Sequence, residues 1–245
     1  MINFFRKIRK KLLVENKTWK YLKYAIGEIV LVVIGILIAL QVNNWNENRK
    51  VENYKLELLI QLKEDINNDI HYLKELDSVY GRWQIQAVNI IKALEDKSIN
   101  RITTIDEYII GRGSMNQISI ITKTFDQMKD SGILNKITNK KLSQSIDDYY
   151  EFAKIEIQKT NIDNQEFYSY VLNISGYEYI HIGHRIIFQT DLDYIDWSWL
   201  KDPTSERYKK FESRISFHWV AINANRELLG NLLEKAENIL KVIDS

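Results

Sequence analysis

Glu28 is the residue least expected in its surroundings. It lies within an apolar run, residues 24–42, whose only other strongly polar member is Gln41. On a helical wheel Glu28 shares a face with Tyr24, Leu31, Val32, Gly35, Ala39 and Val42. Gly35-x-x-x-Ala39 is a small-xxx-small pair that lets two helices approach closely. Two roles fit this pattern. Glu28, Gly35 and Ala39 form an association face with the carboxyl hydrogen-bonded inside it, or Glu28 reaches the membrane interface near Lys23. A proton relay would need several copies, because one span offers no conduction path.

Other chemistry-bearing residues are sparse. His181-Ile-Gly-His184, with Asp191, Asp193 and Asp196 downstream, has the residue types of a zinc site. The spacing is not that of a helical zinc motif, Gly183 favours a turn, and no glutamate base follows. The chain has no Cys, which excludes disulfides, thiolate metal sites and a cysteine nucleophile. G-x-S-x-G, glycine-rich phosphate loops, H-E-x-x-H and calcium-loop motifs are absent. Carboxylate pairs such as Asp147-Asp148 are common on solvated helix faces. The expectation is a non-enzyme with no catalytic residue, metal or cofactor. Tyr177, Tyr179, Trp197 and Trp199 would form either an aromatic surface for protein recognition or a plug closing the end of a bundle. Asn164 and Asn225 fall on or beside apolar stripes, where buried amides set register; solvated positions are the alternative.

Charge is unevenly placed along the elements that must position these residues. Within residues 1–24, eight Lys and Arg oppose Glu15, giving +7; the total of +1 leaves −6 on the rest. A near-neutral chain does not indicate nucleic-acid binding. The 19 residues 24–42, at 1.5 Å each, span about 28 Å, close to a ~30 Å hydrocarbon core. Trp19, Tyr21 and Tyr24 flank one edge and Trp45 the other, as in aromatic belts. A cleaved signal peptide fits less well, since Ala39-Leu40-Gln41 lacks a small-x-small site. The expectation is an uncleaved signal anchor in a bacterial inner membrane, N-terminus cytoplasmic and C-terminal body periplasmic. Arg6, Lys7, Arg9, Lys10 and Lys11 surround an apolar face of Phe4, Phe5, Ile8, Leu12 and Leu13, which suits a helix lying on the anionic inner leaflet. A flexible topology signal is the alternative.

The opening Met1-Ile-Asn-Phe-Phe-Arg-Lys-Ile-Arg9, then Lys23-Tyr-Ala-Ile-Gly-Glu-Ile-Val and on to Asn43-Asn-Trp-Asn-Glu47, resembles a group of uncharacterised single-pass inner-membrane proteins of Bacteroidota, a domain of unknown function. Thr124-Phe-Asp-Gln-Met-Lys-Asp-Ser-Gly132, with Leu142 and Tyr149-Tyr150, is similar to that family's second recognisable stretch. The resemblance implies a Gram-negative envelope and carries no catalytic residues across.

Beyond the span, Leu59, Leu62, Ile66, Ile70, Leu73, Leu76, Tyr80, Trp83, Ala87, Ile90 and Leu94 recur every three or four residues, a helical seam. Ser98 to Asn100 would end it, and Thr104 with Glu107 resembles a capping box. A helix from about Asn116 is expected to stop at Ser131-Gly132. Leu142, Ile146, Tyr149, Ala153, Ile157, Asn164, Phe167, Val171 and Ile174 mark another helix. Asp202-Pro203 is expected to open the last, striped by Tyr208, Phe211, Ile215, Trp219, Ile222, Leu229, Leu233, Ala236, Leu240 and Ile243. The fold class is all-α: a basic head at 1–23, a transmembrane helix at 24–45 continuing into an extracytoplasmic antiparallel bundle at 46–245, and an aromatic-rich irregular segment near 176–201. The function expected is a scaffold or accessory subunit acting through protein–protein contacts and helix association. Its partners would be the lipid bilayer and either a second copy (a homo-oligomer) or another membrane protein. An envelope sensor binding a ligand or protein through the bundle is the alternative.

Overall fold

The computed structural model describes residues 18–98, 115, 117–187 and 198–244; the side chains of 18, 20, 21, 171, 172 and 174–187 are not described. The basic head before Thr18, the capping box at Thr104 and Glu107, and Trp197 lie outside the described residues. Among the described residues four helices follow in order: α1 (Thr18–Glu95), α2 (Lys123–Asp130), α3 (Lys140–Ile187) and α4 (Glu206–Ile243). Short 3-10 turns occupy Leu134–Lys136 and Ser198–Lys201. No strand occurs among the described residues, and the fold is all-α. The chain divides into two compact units, Met1–Glu57 and Leu58–Ser245.

In the first unit, α1 carries a stretch long and apolar enough to cross a membrane, and none of that apolar window is buried. At its two edges Lys23 Nζ lies 5.3 Å from the centre of the Trp19 ring and the Arg49 guanidinium 5.6 Å from that of Trp45. Each pair sets a cation over an exposed indole face.

The second unit is built on seams whose buried positions recur mostly at three- and four-residue steps. On α1 the buried positions are Leu58, Leu62, Ile66, Asp69, Leu73, Leu76, Tyr80, Ala87, Ile90 and Leu94. Asp69, not Ile70, therefore occupies the seam, and Leu58 replaces Leu59. On α4 the seam is Tyr208, Phe211, Ile215, His218, Ile222, Asn225, Leu229, Leu232, Ala236 and Ile239. Trp219, Leu233 and Leu240 lie one residue off this phase; Trp219 is exposed and the two leucines are half-buried. The apolar stripe is wider than the seam, and wheel position alone does not choose between adjacent candidates.

Pairs between helices give their directions. Lys63 pairs with Asp244, Lys74 with Glu237 and Asp77 with Arg226, so α1 and α4 are antiparallel. Phe152 meets Lys235, Asn164 meets Asn225 and Tyr170 meets Ser213, so α3 and α4 are antiparallel as well. It follows that α1 and α3 run parallel, which a short loop cannot achieve. Among the described residues, part of this return is a non-helical strip, residues 117–122, that runs back along α1 into α2: Gln117 meets Tyr72, Ile121 meets Asp69 and, at the start of α2, Thr124 meets Asp65.

Helix ends differ in part from the expectation. Helix α2 begins at Lys123 rather than near Asn116, because Gln117, Ile118 and Ile121 spend backbone groups on side chains of α1 and α3. Gly132 takes φ +69 beyond the end of α2, as expected of Ser131-Gly132. Asp202 does not cap α4: its carboxylate accepts from the Thr204 N–H and hydroxyl, and Ser205 caps instead by accepting from the Tyr208 N–H at 3.2 Å. The aperiodic stretch expected from Gly176 is helical as far as Ile187. A helix already propagating tolerates an interior glycine at about 1 kcal/mol, and residues 140–187 contain no proline.

Candidate functional site

The return strip is held by a polar clamp. Asp69, 2 % exposed, accepts the Ile121 N–H at 2.9 Å through one oxygen and the Tyr149 hydroxyl at 3.3 Å through the other. One turn away, Asp65 accepts the Thr124 hydroxyl at 2.5 Å. The Tyr72 hydroxyl donates to the Gln117 carbonyl at 3.1 Å. From α3, the Asn161 amide takes both backbone groups of Ile118: its oxygen accepts the N–H at 3.0 Å and its nitrogen donates to the carbonyl at 2.9 Å. A non-helical backbone cannot satisfy itself as a helix does, and side chains of the flanking helices supply these partners.

The electrostatics follow from burial. Desolvation raises the Asp69 carboxyl to about 6, against the lowering effect of the Ile121 N–H and the Tyr149 hydroxyl; the charge of Asp65 adds to the rise. Tyr149 and Tyr150 are pushed up, first by burial and then by the negative charge of Asp69, so both phenols stay protonated at neutral pH. The arrangement positions chain segments and has no activated nucleophile beside a general base.

Beside the clamp lies a groove of about 470 Å³, within the size range of ligand pockets. Ile118, Ile120, Phe125, Tyr150, Ala153 and Ile157 provide its apolar lining. The Phe125 and Tyr150 rings stack at 4.2 Å between centroids and 10° between planes. Asp126, Lys129, Glu151 and Lys154 add two charges of each sign. Lys129 binds Glu151 at 2.9 Å, which lowers the Glu151 carboxyl and raises the Lys129 ammonium. The Tyr150 side chain is 3 % exposed, and its hydroxyl has no hydrogen-bond partner among the described residues.

The residues singled out from the sequence scatter over the fold. Glu28, Gly35 and Ala39 lie on α1 in the first unit; Gly35 has open space where a Cβ would stand, Ala39 is exposed and Glu28 is half-buried. Glu28 also lines a shallow pocket of about 360 Å³ with Ala25, Ile29, Val32 and Val33. Arg6, Lys7, Arg9, Lys10 and Lys11 fall outside the described residues, as does Trp197. Tyr177 and Tyr179 are on the C-terminal part of α3, where the backbone alone is described. Trp199 is 6 % exposed and packs edge-on to Phe211 at 5.5 Å, in a cluster with Leu94, Leu200, Tyr208 and Ile215. It is a core residue and presents no exposed recognition face. His181 and His184 are on α3, and no cluster of metal-ligating side chains occurs among the described residues.

Asp65, Asp69, Asn161 and Tyr150 do not stand out in the sequence as site residues. One signal is legible there: counting by fours and threes from Leu62 through Ile66 lands on Asp69 before Leu73. A charged residue at a seam position marks either a partner or an error of phase, and here it has partners.

No curated protein and no solved structure gives a significant match to the chain. The family of unknown function DUF6090 matches residues 28–151. That segment takes in the apolar stretch of α1 from Glu28, both clamp aspartates, the return strip, α2 and Tyr149-Tyr150. With half of the chain matched, this protein belongs to the family of unknown function DUF6090.

Proposed function

We propose that this chain is a non-enzymatic, membrane-anchored scaffold or accessory subunit that acts through protein–protein contacts. Its basic head is cytoplasmic, its span crosses a bacterial inner membrane once, and its bundle lies in the periplasm. The observation that carries the reading is the wholly exposed apolar window of α1, which in water would be a large unfavourable surface and in a bilayer is not. The excess of Lys and Arg before the span supports the orientation. Within the span, Gly35 and Ala39 leave room for a second helix, from another copy or another membrane protein.

Native mass spectrometry of the full chain in mild detergent tests this reading. A defined oligomer or a co-purifying partner is expected, dissociating in Glu28→Gln or Gly35→Leu. A monomer indifferent to both substitutions would leave the span as a simple tether and overturn the association role.

The second reading, an envelope sensor, is favoured by one observation: the ligand-sized groove beside Phe125 and Tyr150.

A further inference from the structure

The return strip is fastened differently from the helices around it. Among the described residues, the backbone of 117–122 makes one bond to another backbone group, the Thr122 carbonyl accepting the Asp126 N–H at 2.9 Å. Its other hydrogen bonds among those residues are to side chains: Tyr72 on Gln117, Asn161 on Ile118 and Asp69 on Ile121. Asp65 holds Thr124 where the strip enters α2. Two of these four side chains are carboxyls one helical turn apart on α1.

The more buried of the two carboxyls has no counter-charge. Asp69 is 2 % exposed. The groups that act on it are Asp65 of α1, the Ile121 N–H of the strip and the Tyr149 hydroxyl of α3, with no Lys, Arg or His among them. Tyr150 of α3 stands in the field of Asp69, Asp65 and, from α2, Asp126. Between the Lys63–Asp244 and Lys74–Glu237 pairs, α4 turns Ile239 and Val242 inward. An ionised Asp69 is therefore a buried charge one turn from a second carboxylate, which is costly even with two donors on it. A proton removes that cost.

We propose that Asp69 is a proton-operated latch for the return strip: protonated, it locks the strip against α1 and α3, and ionised, it lets the strip lift at Ile121. The strip yields because it is the least fixed of the elements that cover Asp69. Helices α1 and α3 are held by their own backbone bonds and by seams of buried apolar residues, whereas the strip has few bonds to lose when water enters to hydrate the carboxylate. Lifting brings the buried Ile118 towards water and reshapes the groove, which Ile118, Ser119, Ile120 and Thr122 line. A local change of charge is thereby coupled to the shape of a surface.

The latch goes beyond the contact-protein reading and stands or falls without it. Hydrogen–deuterium exchange of the full chain in lipid nanodiscs, read by mass spectrometry at about pH 5 and about pH 7.5, tests it once the pH dependence of intrinsic exchange is removed. The carboxyl titrates at about 6 under the closed strip, against 3.8 as its ordinary value. Protection of a peptide spanning 117–122 should therefore fall by about tenfold between the two conditions. Peptides from the α4 seam should keep theirs. In Asp69→Asn, which keeps an oxygen for the Ile121 N–H and cannot ionise, strip protection should be the same at both. Tyr149→Phe removes a donor that favours the ionised form and should enlarge the fall.

Equal strip protection at both pH values in the parent, or an undiminished fall in Asp69→Asn, would overturn the latch. A fall of the same size along α4 would overturn it as well, since the whole bundle would then be loosening. Should Asp69→Asn fold poorly, Tyr149→Phe decides by itself, and a fall no larger than the parent's rejects the proposal.

Discussion

Asn164 and Asn225 exchange two hydrogen bonds across the α3–α4 interface, each amide nitrogen donating to the other's oxygen at 3.0 and 2.9 Å. Both side chains are buried, and Asn225 also donates to the Ala221 carbonyl at 2.8 Å. The pair satisfies itself in one register only. A slip of α4 past α3 would strand both amides, which makes this contact a register pin.

Removing one partner should therefore cost more than removing both. Asn164→Ala is expected to destabilise by about 1–3 kcal/mol, since Asn225 is left buried with an unpaired oxygen. The double replacement by Leu should recover much of that loss. Thermal melts followed by helical circular dichroism of the full chain in detergent check it, and a double variant no better than the single would refute the pin.

The Asp69 carboxyl titrates at about 6 in the folded chain against 3.8 as its ordinary value, with burial the leading cause. The folded state thus holds this proton more tightly than the unfolded chain does. Its contribution to stability is fully present below about 3.8 and is lost as pH rises through about 6. Asp65, Tyr149 and Tyr150 face the group, and the two phenols do not titrate in this window. Asp69→Asn keeps an oxygen for the Ile121 N–H and should raise the midpoint at pH 7 by the equivalent of about 1 kcal/mol, with the gain vanishing towards pH 4. A constant difference from pH 4 to 7 would count against a buried, titrating Asp69.

If Trp199 closes the end of the bundle, truncating it creates a cavity among Leu94, Phe211 and Ile215. Trp199→Ala is expected to cost about 3–5 kcal/mol. A surface recognition residue would cost almost nothing, so one melt separates the two roles.

Two helix ends should respond in opposite directions. Lys97 holds φ 55 after α1, with Ser98 N–H on the Ala93 carbonyl and Lys97 N–H on that of Leu94, a Schellman arrangement without its usual glycine. Lys97→Gly should stabilise by about 0.5–1 kcal/mol, and Gly132→Ala, at φ +69, should destabilise by about 1 kcal/mol. Inside α4, Gly230 has open space for a Cβ, and Gly230→Ala should add about 0.5–1 kcal/mol. Denaturant midpoints of the three variants check the signs.

The absence of cysteine makes topology directly measurable. Thr138→Cys, at an exposed position between α2 and α3, should react with a membrane-impermeant maleimide on intact spheroplasts. Lys7→Cys should react after lysis only. The reverse pattern would invert the proposed orientation.

Several features of the fold are legible in the residues themselves. The apolar run 24–42, its aromatic edges and the +7 head mark a candidate span by length and composition alone, which needs no neighbour to decide it. The helical class follows in the same way from three-and-four spacing, and the αL glycine at 132 from the Ser131-Gly132 pair. Phase and direction are what the residues leave open. Ile70 and Asp69 are both within reach of the α1 seam, and hydrophobicity favours Ile70; Asp69 occupies it because Tyr149 and Ile121, distant in sequence, supply its hydrogen bonds. His218 displaces Trp219 in the same manner, stacking on Phe167 at 5.6 Å. The parallel run of α1 and α3, and the non-helical strip that packs against both, depend on side-chain-to-backbone bonds between elements far apart in sequence. A periodicity reports which residues can turn inward; only the packed neighbours determine which of two adjacent ones does, because burial is decided by what lies on the other side.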